Sequence, residues 1–160
     1  MAIETDGKRG TTTSYGPRLP NQKHGGQAVS CQGPIKIAQW TFDYDDLPDA
    51  ATHGLGMVIP ANSTIVSAKL LINTAFTSTS TTTDLLIGLQ KADGTEIDND
   101  GLIAAAQATQ TTIATAGNII TGAGALVGTT IGTAAGELVV APSVDDLLTG
   151  NGTVIVEYIV

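Results

Sequence analysis

The chain has 160 residues, 42% of them apolar but only 4% aromatic, with 19 glycines, 24 threonines, one cysteine and a formal net charge of -8. That is enough for one domain with a core of Val, Ile, Leu and Ala. It excludes an internal disulfide framework and leaves no apolar run of the ~18 residues a membrane span requires. The charge is divided unevenly: residues 1–40 carry Lys8, Arg9, Arg18, Lys23 and Lys36 against Glu4 and Asp6, while residues 41–160 carry Lys69 and Lys91 against 13 carboxylates. A basic leader and an acidic body point to two different tasks, and the body should repel nucleic acid.

Residues 1–34 are rich in Gly, Pro, Thr, Gln and Asn and show no apolar periodicity, so they read as an extended arm without a core of its own. The opening MAIETDGKRG has no apolar stretch of the secretory type. Holding an arm of this length in one conformation costs about 1–2 kcal/mol per residue, which calls for contacts with a neighbouring molecule. From residue 35 the pattern changes to strands. IKIAQWTF (35–42) places Ala38, Trp40 and Phe42 on one face and Ile35 and Ile37 on the other. LGMVIP (55–60) is a short strand ended by Pro60.

TIVSAKLLINTAF (64–76) alternates most clearly, with Val66, Ala68, Leu70, Ile72 and Phe76 opposite Ser67, Lys69 and Asn73. LLIGLQ (85–90) returns, and Asp93-Gly94 marks a turn. GLIAAAQA (101–108), with Asp100 placed to cap it, predicts one short helix. ALVGTTI (125–131), ELVVA (137–141) and GTVIVEYIV (152–160) complete the strands, the last with Val154, Val156, Tyr158 and Val160 on one face. Seven or eight short strands and at most one short helix predict an all-β sandwich or barrel over residues 35–160.

Three motifs invite chemistry. Gly122-x-Gly124-x-x-x-Gly128, following Ile119 and Ile120, is spaced much like a dinucleotide-binding turn. Such a turn needs a helix directly after it and an acidic residue about 20 positions further on. Here Gly124 is followed by glycines at 128, 132 and 136 and a threonine pair, and the nearest carboxylate is Glu137, so the glycines read as loop and turn residues. Glu96-x-Asp98-x-Asp100-Gly101 approaches a calcium loop but has Gln107 where the bidentate Glu belongs. The acids of FDYDDLPD and Asp145-Asp146 read as turn formers. His24, Cys31 and His53 have no partners in the sequence that would make a nucleophile or base. The expectation is no catalytic residue, no metal and no cofactor.

One stretch carries a family resemblance: WTFDYDDLPDAATHGLGMVIPANSTIVSAKLLINTAF, followed by a Leu-Ile-Gly strand, the turn ADGTEID and a terminal GTVIVEYIV. In this order the segments over residues 40–160 resemble small structural proteins of tailed bacteriophages. The resemblance implies a jelly-roll-like β-sandwich with an N-terminal arm, on the outer surface of the capsid. There it would act as a decoration or cement protein, a homo-oligomer with a trimer favoured, bridging major capsid protein subunits. Neither a membrane nor nucleic acid is an expected partner. Within that reading Lys8, Arg9, Arg18 and Lys23 are the candidate pairs for shell carboxylates, and Tyr15 and Leu19 the candidate apolar contacts. The alternative is another virion module, a head-fibre base or a tail-associated protein that contacts the host.

Overall fold

The structure, a computed structural model, divides the chain into two compact units, Met1–Pro34 and Ile35–Val160. It describes residues 35–160 throughout and, in the first unit, only the backbone of β1 (Ile3–Asp6) and β2 (Thr11–Ser14), an antiparallel pair. The second unit holds eight strands: β3 (Ile35–Asp43), β4 (His53–Ile59), β5 (Thr64–Ser78), β6 (Leu85–Gln90), β7 (Glu96–Ile103), β8 (Ile119–Thr121), β9 (Gly136–Pro142) and β10 (Leu147–Ile159). They form two four-stranded antiparallel sheets, ordered β3-β10-β5-β8 and β4-β9-β6-β7.

That order is diagnostic. The first strand lies beside the last, the second beside the seventh and the third beside the sixth; only the β6–β7 connection stays within one sheet. Every other connection crosses between the sheets, which is the double Greek key of a jelly roll. The expected sandwich is therefore present, with this specific topology.

Alternation explains how the sheets close on each other. Ala38 and Phe42 of β3, Ile65, Ala68, Leu70, Ile72 and Phe76 of β5, and Val154 and Val156 of β10 are buried on the first sheet. They meet Leu55 and Ile59 of β4, Leu85, Ile87 and Leu89 of β6, and Leu138 and Val140 of β9 in one apolar cluster. Phe42 and Phe76 supply its only ring pair among the described residues, stacked with centroids 5.7 Å apart. Tyr44 and Tyr158 pack against the cluster from its margin, and aliphatic side chains fill most of the remaining volume.

The predicted strand at 64–76 is right in extent and wrong at one position. Val66 is 40% exposed and Ile65 is fully buried. The pairing with β10 slips between Glu157 and Tyr158, whose partners are Ser67 and Ile65, so Val66 is the extra residue of a bulge. Two other predicted elements differ in kind. Residues 101–103 finish β7 rather than begin a helix, and the helix is a single turn, α1 (Gln110–Ile113). Asp84 accepts the Gln110 backbone N–H at its start (2.9 Å), a role expected of Asp100. Residues 125–128 form a turn rather than a strand, and of the predicted strand only Thr130 pairs, as an isolated bridge to Thr64.

Candidate functional site

The glycine motif resolves first. Residues 122–132 run along the open side of the sandwich and bond to both sheets. Gly122 N–H donates to Ala68 O (2.8 Å) and Gly128 N–H to Ile65 O (2.8 Å) on β5. Gly124 N–H reaches Leu102 O (3.3 Å) and Leu126 N–H reaches Gly101 O (2.8 Å) on β7. A Cβ on Gly122 would sit 2.2 Å from Leu102 O, and one on Gly124 would sit 2.3 Å from the Gly101 carbonyl carbon. These glycines exist so that backbone can touch backbone. No helix comes after them to hold a phosphate.

The acidic motifs are likewise absorbed by turns. Asp43 N–H donates to Asp46 Oδ2 (2.9 Å) across the 3₁₀ turn Tyr44–Asp46, and Leu47 behind it is buried. Asp49 accepts from Ala51 N–H (3.0 Å) and contacts His53 Nε2 (2.9 Å), which fixes the loop before β4. Asp145 accepts from the Thr79 hydroxyl and the Asp146 N–H, and both bonds hold it below the usual carboxylate range. Among the described residues no three His, Cys, Asp or Glu side chains gather in a way that could hold a metal.

Asp98 is the exception in direction. Desolvation, then its hydrogen bonding and repulsion with Asp100, with Glu96 adding repulsion, push its carboxyl above the ordinary value. An acid with a raised folded pKa has its protonated form favoured by the fold. This group is therefore neutral toward stability at low pH and opposes folding as pH rises through the carboxylate range. The cost comes first from removing the Asp98 carboxyl from water and then from Asp100 and Glu96 beside it.

What remains is surface. The outer face of the first sheet is divided lengthwise. At one end Thr41 and Thr153 share a hydroxyl bond (2.9 Å). Asn73 Nδ2 donates to Asn151 Oδ1 (2.6 Å) and Thr153 Oγ1 (2.8 Å), and Asn151 Nδ2 donates to Asp43 Oδ1 (2.8 Å). This cross-strand network runs from β3 through β10 to β5 and uses the abundant Thr and Asn. At the other end the same face carries Ile35 (51% exposed) and Ile37 (65%) on β3, beside Ile159 and Glu157 of β10. Level with Thr153, in the polar half, Leu71 of β5 pairs with Ile119 of β8, itself 62% exposed. Ile35 and Ile37 are the large aliphatic residues that β3 leaves exposed on this face.

The motifs behind the family resemblance are now explicable as geometry. In IPANS, Asn62 takes the left-handed conformation (φ 60) and its N–H donates to Gly132 O (2.7 Å), which turns the chain from β4 into β5. Asn tolerates that region better than other non-glycine residues. Sequence reasoning did not single out the outer face, although the odd-numbered isoleucines of β3 were visible as its signal. The arm residues Lys8, Arg9, Tyr15, Arg18, Leu19 and Lys23 lie outside the described residues, as do His24 and Cys31.

No protein-family profile and no curated protein matches the sequence. Solved structures do match. A chain of the acidic stable capsid structure of Helicobacter pylori bacteriophage KHP30 aligns at 18% identity over 80% of this chain and 89% of its own, with TM-score 0.52. A chain of the cyanophage Pam1 capsid asymmetric unit aligns at 15% identity over 90% and 97%, with TM-score 0.55. A chain of the capsid of Ralstonia phage GP4 aligns at 20% identity over 78% and 84%, with TM-score 0.53. At these identities the likeness is one of fold, shared with chains from the capsids of three phages.

Proposed function

We propose that this protein decorates the outside of a tailed-phage head and bridges neighbouring major capsid protein subunits, cementing the shell. The observation that carries the reading is the coincidence of two independent likenesses. The ordered motifs over residues 40–160 resemble phage structural proteins, and the fold of the chain is similar to that of chains in three phage capsids.

Charge supports a division of labour within that role. The body carries 13 carboxylates against Lys36, Lys69 and Lys91, while the arm carries four basic residues against Glu4 and Asp6. The body is the knob, favoured as a trimer at local threefold positions. The arm lies along acidic surface on the shell, with Lys8, Arg9, Arg18 and Lys23 meeting carboxylates and Tyr15 and Leu19 adding apolar contact. An extended segment covers much area for its length, although ordering it lowers the affinity per unit area. Many copies engaged on one lattice recover the difference through multivalency.

The test uses heads assembled without this chain. They should release their DNA at a lower temperature than decorated heads, and adding the purified full-length chain should restore the higher temperature in a saturable way. Unchanged head stability combined with impaired adsorption to host cells would instead favour a tail-associated or head-fibre role.

A further inference from the structure

The glycine-rich strap of residues 122–132 reaches β7 through a large bulge, and that bulge carries acids. Leu89 of β6 pairs with Asp98 and Ile87 with Ile103, so Gly88 alone stands opposite residues 99–102. The looped-out segment folds back over Gly88, where a Cβ would sit 2.0 Å from Asp98 O and 2.4 Å from the Asn99 carbonyl carbon. Its last two carbonyls, on Gly101 and Leu102, are the ones that accept Leu126 N–H (2.8 Å) and Gly124 N–H (3.3 Å) from the strap. Its first turn is held by carboxylates: Asp98 Oδ1 accepts from Asp100 N–H (3.3 Å) and Glu96 Oε1 from Asn99 N–H (3.3 Å).

The Asp98 carboxyl also meets the strap itself. The place a Cβ on Gly101 would take lies 2.7 Å from Asp98 Cγ and 2.6 Å from Leu126 Cγ, so acid and leucine close together over the bare Gly101 backbone. A carboxylate in that position gives up water to an apolar neighbour and has a second carboxylate beside it. Burial first, then Asp100, favours the protonated form. The charged groups acting on Asp98 among the described residues are Asp100 and Glu96, both on β7. β6 and the strap contain no ionisable side chain. Lys91, just beyond β6, acts on Asp93. Of the other strands packed against β7, β9 supplies Glu137, which accepts from Gly56 N–H (3.0 Å) and Gln90 Nε2 (3.3 Å). β5 supplies Lys69, level with Thr121 in the other sheet.

We propose that the Asp98–Asp100 pair makes the strap's hold on β7 sensitive to pH, firm when the two carboxyls share one proton and loosened when both are ionised. With the proton in place, Asp98 O–H donates to the Asp100 carboxylate and closes the bulge. Without it, two adjacent negative charges, one of them against Leu126, push the bulge open and draw the Gly101 and Leu102 carbonyls away from the strap. The cost is absent at low pH and grows as pH rises through the carboxylate range, so the strap is tightest in mild acid. Asp93 and Asp145 have the opposite sign: their turn bonds hold them below the usual range, and the stability they give is lost as pH falls. A melting temperature mixes the two signs, whereas a local measurement separates them. What the strap covers is an edge strand, so its release leaves backbone groups of β7 open to pairing with another chain.

Amide hydrogen exchange of the full-length chain, followed by NMR and corrected for the intrinsic pH dependence of exchange, tests the device. The reference is Ile72 N–H on β5, bonded to Asn118 O (2.9 Å) away from the bulge. Relative to it, protection of Leu126 and Gly124 should be at least ~3-fold higher at about pH 5 than at about pH 7.5. Asp98→Asn keeps the shape of the side chain and a donor for Asp100 but cannot ionise. It should bring protection at the higher pH up to the acid level and remove the pH dependence. Asp100→Asn, which removes the other charge, should also raise protection at the higher pH. Equal relative protection at both pH values, an unchanged pH dependence in Asp98→Asn, or lower protection in that variant at the higher pH would overturn the proposal.

Discussion

Replacing Gly150 with alanine should destabilise the jelly roll by about 3–4 kcal/mol and lower its melting temperature by roughly 10 °C or more. Two separate effects add at this position. Gly150 has φ 132, a region that residues with a side chain scarcely occupy, and a Cβ there would stand 2.0 Å from Cδ1 of Phe76. Phe76 is fully buried and stacked on Phe42, so its ring cannot step aside into solvent. The geometry arises from the irregular pairing of β10 with β5, where Thr149 opposes Thr77 and Asn151 opposes Thr74. The two residues left over on β5, Ala75 and Phe76, swing toward the single Gly150. Gly94→Ala is the control: φ is 80 and nothing lies within 4 Å, so only backbone strain of about 1 kcal/mol is expected. Thermal unfolding followed by circular dichroism separates the two, and equal melting of Gly150→Ala and wild type would contradict the packing described.

The second large effect is on binding. Reversing the arm with Lys8→Glu, Arg9→Glu, Arg18→Glu and Lys23→Glu should abolish restoration of head stability while leaving the melting of the body unchanged. Each exposed ion pair contributes at most about 1 kcal/mol, so losing four, with repulsion in their place, weakens one arm by ~4 kcal/mol. That corresponds to roughly a thousandfold in affinity for a single copy, before the loss is multiplied over a lattice. The wild-type interaction should weaken as salt is raised from 0.05 to about 0.5 M, since exposed pairs are screened over a shorter Debye length. Full restoration by the reversed arm would remove these four residues from the interface.

Much of the sandwich was legible from alternation and from apolar runs. β5 and the later part of β10 alternate between buried and less buried positions, and β6 and β9 were visible instead as short apolar runs, buried on nearly every residue. The start of β10, at Leu147, lies five residues before the predicted one. The failures share a physical cause. Gly101, Leu102 and Ile103 are buried in succession because β7 is covered by the glycine-rich segment as well as by β6, which erases the alternation. Three buried residues in a row then resemble the start of an apolar helix. Leu126 and Val127 looked like strand residues because they are partly buried, yet they pack onto the core from a chain of turns. β8 is too short for any period to register.

The outer face was less legible than the core, for a reason that also bears on function. A sequence shows which positions alternate but not which of two mixed faces points outward. Ile35 and Ile37 become exposed only because Ala38 and Phe42 occupy the inside. Gly122 and Gly124 could be dismissed as a nucleotide site because further glycines and a threonine pair stand where a helix would have to start. Their positive role required the backbone of Gly101 and Leu102 to be placed against them.

On the proposed function, a cryo-electron microscopy map of mature heads that carry this chain tests the central claim most directly. It should show density for the jelly roll of residues 35–160 standing outside the continuous shell, with residues 1–34 running from it across the junction between major capsid subunits. Density for the chain inside the shell, within the tail or as the shell layer itself would contradict the account.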